Sequence, residues 1–162
     1  MSRFNGDEDY PEYNNAWDLW NASVNRHLGG AKGQQALRDL RAALLALPEP
    51  RLIEGRLADE RGCVCTVGAL ALHRRTTAGE PREKVLSDLA SLIKPDERWN
   101  EIDAYESEER TIQCGRDIGL KMTMAVTLAA RNDDISRDET PEQRFERVLA
   151  WVNERIFDEA AT

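Results

Sequence analysis

Gly62-Cys63-Val64-Cys65-Thr66-Val67-Gly68-Ala69-Leu70-Ala71-Leu72-His73-Arg74-Arg75 is the most apolar stretch of this 162-residue chain. No side chain from Val64 to Leu72 carries a charge, so a helix here would be apolar on every side. Such a helix is normally buried at the centre of a domain. Gly68 and Ala69 would also let neighbouring helices approach closely. The sequence therefore predicts a central helix that starts near Cys65.

Apolar residues three and four positions apart predict further helices on both sides of this stretch. One runs from about Gln34 to Leu47 and is stopped by Pro48. Pro81 starts another, and a strongly apolar helix covers 122–130. Thr140-Pro141-Glu142-Gln143 predicts the last helix, because threonine can cap it, proline fits its first turn and Gln143 can reach back to the cap.

The N-terminal part and the acidic middle part give weaker patterns. Trp17, Trp20, Val24 and Leu28 predict a helix that buries two tryptophans, followed by a flexible glycine-rich connection over 29–33. In the acidic stretch, we expect a short helix over about 96–105 with Trp99 and Tyr105 facing inward. Ser107 would then cap a separate helix.

These patterns together predict a mainly α fold. We expect a single compact helical domain of about seven or eight helices over 14–162, with at most one small β-hairpin around 51–64. Residues 1–13 would form an acidic N-terminal arm. At this length one domain can bury a core without disulfides or metals.

Composition narrows the cellular context. No apolar run approaches the roughly 20 residues that span a bilayer, and the N-terminus has no apolar segment typical of a secretory signal. Three cysteines in a chain without an export signal do not indicate a disulfide framework. We therefore expect a cytoplasmic protein that has no contact with membranes.

The net charge of −8 is unevenly distributed. Residues 26–75 contain nine Lys or Arg and five Asp or Glu, and most of the acid lies elsewhere. Phosphate backbones need a positive footprint, so direct binding of nucleic acid is not expected. A basic protein partner would suit this charge, and so would an acidic surface that serves only to keep the protein in solution.

Two short motifs resemble those of a group of small proteins. Cys65, Gly68, Ala69 and Leu70 match a Cys-x-x-Gly-Ala-Leu helix, and Asn132-Asp133 precedes the terminal helix that Thr140 starts. The chain resembles, over 34–75 and 122–156, small uncharacterised bacterial and phage proteins with these features. The resemblance implies an accessory protein of phage, prophage or mobile origin, and it implies no activity.

Cys65 is the first candidate for chemistry. A cysteine at a helix N-terminus can have a lowered pKa and act as a nucleophile if a base is near. His73 is eight residues further along the same helix, about 12 Å away at 1.5 Å per residue. His27 is therefore the candidate base for a cysteine-dependent hydrolase or transferase. The alternative is that Cys65 packs as a small buried side chain.

A zinc site is a further arrangement that the sequence allows. Cys63, Cys65, His73 and Cys114 would supply four ligands, the number that a structural zinc needs. The Cys-x-Cys spacing is unlike the two-residue gap of a zinc knuckle, and we expect neither a metal nor a cofactor.

The acidic stretch is the second candidate site. The residues that we expect to face a basic partner are Trp99, Glu101, Asp103, Tyr105, Glu106, Glu108 and Glu109. The carboxylates would provide charge, and an exposed tryptophan or tyrosine would provide the aromatic anchor that interfaces favour. The leading hypothesis is a non-enzymatic binding protein that inhibits a nucleic-acid-handling host or defence complex, as anti-CRISPR proteins do. The cysteine enzyme with Cys65 and His27 is the alternative.

Overall fold

The computed structural model describes residues 19–95, 98, 102–133 and 138–157, and these form a mainly α protein. Seven helical segments follow one another: α1 (19–29), α2 (Ala31–Leu45), α3 (Thr66–Thr77), α4 (Arg82–Leu92), α5 (Ala104–Asp117), α6 (Met122–Asn132) and α7 (Pro141–Arg155). The described ranges contain no β-strand. The predicted acidic arm over 1–13 lies outside them.

Helix α3 is the central element, as the sequence predicts. All seven residues from Thr66 to Leu72 are buried, and the helix packs against α2, α4, α5 and α6. Arg74 and Arg75 lie in its last turn, where positive charge suits the negative end of the helix dipole. One uncharged stretch therefore provides contacts to most of the other helices.

The segment between α2 and α3 is a loop that lies against the start of α3. The small hairpin that the sequence allows is reduced to a single antiparallel bridge between Ala58 and Val64. The backbone N–H of Cys65 donates to the carbonyl of Leu57 at 3.2 Å. That carbonyl oxygen leaves no room for a side chain at Gly68, because a Cβ there would lie closer than 3.0 Å to it. Glycine in the central helix therefore permits this contact.

The connection between α1 and α2 is tight, so the predicted flexible segment over 29–33 is wrong. Helix α2 begins at Ala31, and only Gly30 separates the two helices. Gly33 lies inside α2, where a Cβ would come closer than 3.0 Å to the carbonyl oxygen of His27. Gly33 belongs to the predicted flexible connection, but it is needed for the close approach of two backbones.

A buried glutamine joins the first and last parts of the described chain. The Gln34 side-chain amide donates to the carbonyls of Leu28 and Arg155 at 2.7 and 2.8 Å, and its oxygen accepts the N–H of Phe157 at 2.8 Å. All its polar atoms are thereby used, as burial of an amide requires. Gln34 thus connects α1, α2 and the end of α7.

The acidic middle part differs from the prediction at the start of α5. The helix begins at Ala104, and the Asp103 carboxylate caps it by accepting the N–H groups of Tyr105 and Glu106 at 2.9 and 3.1 Å. Ser107 does not cap a helix. Its hydroxyl is buried and donates to the carbonyl of Gly55 at 2.7 Å. Asp103 comes first in the chain, so the helix has already formed one turn at Ser107.

Two aromatic residues are more exposed than expected. Trp20 is 38% exposed in α1, although Leu28 on the same helix is buried, and Trp17 lies outside the described residues. Tyr105 is 72% exposed, so its predicted inward orientation is wrong.

The last helix agrees with the prediction. Thr140 and Gln143 form a reciprocal capping box, and Pro141 occupies the first position. No helix in the described part of the chain is both long enough and apolar enough to cross a bilayer.

Candidate functional site

Helix α5 carries the acidic residues that the sequence singles out. Asp103, Glu106, Glu108 and Glu109 are all exposed, and Tyr105 lies among them. Trp99 and Glu101 lie outside the described residues. From 103 to 117 the chain has five exposed carboxylates and two exposed arginines, so this segment carries a net charge of −3. The charge is therefore presented to solvent on one helix.

The carboxylates do not all share one face of α5. At 3.6 residues per turn, side chains two positions apart are about 160° apart around the axis, so Glu106 and Glu108 lie on opposite flanks. Residues three apart are neighbours, which puts Glu106 beside Glu109. Tyr105 is four residues before Glu109, and its hydrogen bond to that carboxylate raises the pKa of the tyrosine. We call Tyr105, Glu106 and Glu109 the acidic face.

A shallow groove adjoins the acidic face. Glu106 and Glu109 line it together with Ile112 and Met122, and its volume is about 730 Å³. Met122 is 49% exposed. Arg110 and Arg116 line the groove as well, and Arg110 makes an ion pair with Glu106 at 2.7 Å. The groove therefore combines two carboxylates and two arginines with apolar side chains, and one of the arginines pairs with Glu106.

Cys65 is the N-cap residue of α3, and its environment suppresses ionisation. Its sulfur accepts the N–H of Gly68 at 3.3 Å. Burial raises the pKa of the Cys65 thiol to about 12, and the nearby Asp133 carboxylate acts in the same direction. A nucleophilic cysteine needs the opposite shift. At pH 7 only on the order of one thiol in 10⁵ would be ionised at such a pKa.

His27 lies in a different environment from Cys65. Partial burial lowers the pKa of His27, and the ammonium groups of Lys121 and Lys32 lower it further. The groups that act on Cys65 are Asp133, Cys114 and backbone N–H groups. The two environments share none of these groups, and no hydrogen bond joins the candidate nucleophile to the candidate base. The arrangement therefore lacks the contact that a cysteine enzyme needs.

We expect Cys65 and Cys114 to react slowly with iodoacetamide in the native protein and rapidly after denaturation. Both thiols are buried, and burial raises the pKa of Cys114 to about 11. The half-buried Cys63 provides an internal reference for access. Mass spectrometry of each alkylated peptide against time measures the three rates. Native labelling of Cys65 as fast as that of Cys63 would contradict this expectation.

The four candidate zinc ligands do not assemble a metal site. Within the described ranges, no three His, Cys, Asp or Glu side chains lie together as a metal would require. Cys63 lies in the turn before α3, and the Cys65 sulfur already accepts a hydrogen bond.

The structure brings the two motifs of the family resemblance together. The Asn132 side-chain oxygen accepts from both the N–H and the hydroxyl of Thr66 at 2.8 Å. Its amide nitrogen donates to the carbonyl of Ile53 at 2.9 Å and to Asp133 at 2.7 Å. Asn132 thus caps α3 from another helix. Sequence reasoning noted Asn132-Asp133 as a motif but assigned it no contact.

Charged groups surround this cap. Partial burial raises the pKa of Asp133, and the Glu54 carboxylate raises it further. Arg144 is buried, donates to the carbonyl of Leu52 at 2.9 Å and makes an ion pair with Glu54 at 3.2 Å. Single-sequence patterns did not identify Arg144, because an arginine on the buried face of a helix has no local signal that distinguishes it from an exposed one.

The fold and these sites define a mainly α protein with an exposed acidic helix and a polar junction at the start of its central helix. Comparisons of the chain with models of protein families, with curated proteins and with solved structures found no match.

Proposed function

We propose that this protein acts by binding a basic protein surface through the acidic face of α5. The observation that supports this most directly is the exposed set Tyr105, Glu106 and Glu109 beside a groove with apolar side chains. Carboxylates steer a positive partner towards the surface, and a tyrosine and a methionine can then be buried in the complex. The raised pKa of Cys65 favours this proposal over a cysteine enzyme.

The ion pair between Glu106 and Arg110 does not oppose this proposal. Both side chains are about half exposed, and exposed ion pairs contribute only about 0–1 kcal/mol. A basic side chain of a partner can therefore replace Arg110 as the ion-pair partner of Glu106 at little cost in free energy. Glu109 has a hydrogen bond from a tyrosine, which leaves its negative charge in place.

Proteins that handle nucleic acid expose positive grooves, so they are the partners that this surface would suit. The specific form of the proposal is an inhibitor of such a host or defence complex, of the anti-CRISPR kind, encoded by a phage or prophage and acting in the host cytoplasm. This form rests on the charge of the surface and on the family resemblance of the two motifs.

The test compares two single charge reversals at neighbouring, equally exposed positions. Glu109→Lys changes the acidic face, and Glu108→Lys changes the adjacent flank, about 100° away around the helix. Each tagged variant is used to capture partners from a bacterial lysate at low salt, and the captured proteins are identified by mass spectrometry. We expect wild type and Glu108→Lys to capture the same basic protein, and Glu109→Lys to lose most of it.

Two further measurements make this outcome specific. Melting temperatures of both variants should stay near wild type, because surface substitutions usually change stability by less than about 0.5 kcal/mol. Capture should weaken as salt rises, since exposed charges are screened within about 8–10 Å at physiological ionic strength. If Glu109→Lys and the double reversal with Glu106→Lys both capture the same proteins as wild type, the acidic face is not a binding surface.

A further inference from the structure

A second pocket, on another part of the molecule, concentrates positive charge. It lies between the loop after α2, the turn before α3 and the first turns of α4, and its volume is about 430 Å³. Arg51, Arg61 and Arg82 line it, one from each of these segments, together with Cys63. The size falls within the range of pockets that hold small molecules. We call it the arginine pocket.

The arginines of this pocket are poorly neutralised. Among the described residues, Arg61 and Arg82 make no ion pair, whereas Arg56, Arg74 and Arg75 each have a close one. Arg51 contacts Glu49 and Glu142 only at 3.7 and 3.8 Å. Its Nε atom is shielded from solvent and has no hydrogen-bond partner within the described part of the chain. Three cations therefore lie together in this acidic chain, and those of Arg61 and Arg82 are exposed to solvent.

Acidic groups also lie in and near the pocket. Glu49 is the one carboxylate that lines it among the described residues. Asp59 lies close to Cys63 and Arg61, but its Oδ1 atom accepts their backbone N–H groups at 3.0 and 2.9 Å. The lining side chains alone, three arginines and one glutamate, carry a net charge of +2, and the carboxylates of Asp59 and Glu142 lie beside them.

The start of α4 adds to the positive potential. Arg82 is the first residue of this 11-residue helix, and its N-cap is Pro81, which provides no side-chain hydrogen bond to the first turn. The free N–H groups at a helix N-terminus attract anions. Guanidinium groups present paired donors that match the oxygens of a carboxylate or phosphate. Val64 and Leu86 supply an apolar wall.

We propose that the arginine pocket binds a small oxyanion, a compound that carries a phosphate or carboxylate group next to an apolar part. The oxygens contact Arg51, Arg61 and Arg82, and the apolar part packs against Leu86. This site is separate from the acidic face of α5 and does not depend on the function proposed for that face.

Alkylation of Cys63 can measure the electrostatic potential and the occupancy of the pocket without knowledge of the natural ligand. Cys63 is the half-buried thiol in the pocket, while Cys65 and Cys114 are buried elsewhere. Alkylation of the native protein therefore reports on Cys63, and mass spectrometry of the peptides verifies the site. Iodoacetate is an anionic reagent and iodoacetamide a neutral one of similar size. The ratio of their rates measures the potential in the pocket and cancels changes in thiol ionisation.

We expect the double variant Arg61→Ala/Arg82→Ala to lower the ratio of iodoacetate to iodoacetamide rates by about threefold to tenfold. Arg26→Ala, which removes an exposed arginine outside both the pocket and the groove beside α5, should leave the ratio unchanged. In wild type, labelling of Cys63 is measured in the presence of inorganic pyrophosphate or citrate. Sodium chloride at equal ionic strength is the reference. We expect at least one of the two anions to slow labelling of Cys63 about threefold more than chloride does, through occupancy of the pocket.

An unchanged rate ratio in the double variant would overturn the proposal. Protection by neither anion, or equal protection in wild type and in the double variant, would also overturn it. Protection by pyrophosphate alone would assign the site to phosphate compounds, and protection by citrate alone to carboxylates. If the double variant labels Cys65 as rapidly as denatured protein, it has unfolded, and the single variant Arg61→Ala replaces it in the same measurements.

Discussion

Gly68→Ala should lower the free energy of unfolding by about 3 kcal/mol or more, although it adds only one methyl group. The new Cβ would lie within 3.0 Å of the Leu57 carbonyl oxygen and would also meet Val64 at 3.3 Å. Because the first of these neighbours is backbone, no change of rotamer relieves the overlap. The loop from Leu57 to Val64 must then move away from the buried start of α3.

Urea denaturation followed by circular dichroism measures this loss. Gly29→Ala is the matched control, because Gly29 is also helical and its added Cβ would meet only the Phe157 ring at 3.6 Å. Alanine is the better helix former by about 0.5–1 kcal/mol, so the control should equal or exceed wild type in stability. If the urea midpoint of Gly68→Ala equals that of wild type, α3 and the Leu57 loop are not in contact as described.

Asn132→Ala should lower the free energy of unfolding by about 3 kcal/mol, because it leaves buried polar groups unpaired. The substitution removes the acceptor for the N–H and hydroxyl of Thr66, which is fully buried, and the donor to the Ile53 carbonyl. Each unsatisfied buried group costs about 1–3 kcal/mol. The start of α3 then lacks the cap that α6 provides.

A double-mutant cycle with Thr66→Val tests the mechanism. Valine removes the Thr66 hydroxyl without changing the backbone N–H, so the two substitutions should be less than additive by about 0.5–3 kcal/mol. Gln113→Ala is the surface control, since that exposed amide donates to Asp117 on the same helix. Strict additivity of Thr66→Val and Asn132→Ala would argue against a shared hydrogen bond.

The sequence predicted those parts of the fold that local chemistry specifies. The uncharged run from Val64 to Leu72 identified the central helix, and the Thr140 capping box identified the start of the last one. Both signals lie within a few consecutive residues. The mainly α fold with about seven helices is confirmed for the same reason, because apolar spacing at helical intervals is a local property.

The features that sequence reasoning missed depend on distant parts of the chain. Gly33 looks like a helix breaker until the His27 carbonyl is seen against it. Asn132 caps a helix 66 residues earlier in the chain, and no spacing rule connects the two positions. The inward orientation expected for Tyr105 is wrong, because apolar spacing alone does not show where a helix starts or which flank meets the core.

The candidate site was predicted in outline only. The sequence indicated that acid concentrates over 96–109, and the acidic side chains of that segment that the structure describes are exposed. Helical geometry then separates Glu108 from Glu106 and Glu109, a distinction that requires the start of α5 to be known. The arginine pocket was not foreseen, because its three arginines come from three segments.

The side chain of Gln34 has a consequence for the way the protein opens. Its amide holds the last turn of α1 and the backbone at Arg155 and Phe157 through three hydrogen bonds that share one residue. If one of these segments detaches, Gln34 loses a partner and the other segment is weakened at the same time. The two segments are far apart in the chain, but they should fray as one cooperative unit, at a free-energy cost below that of global unfolding.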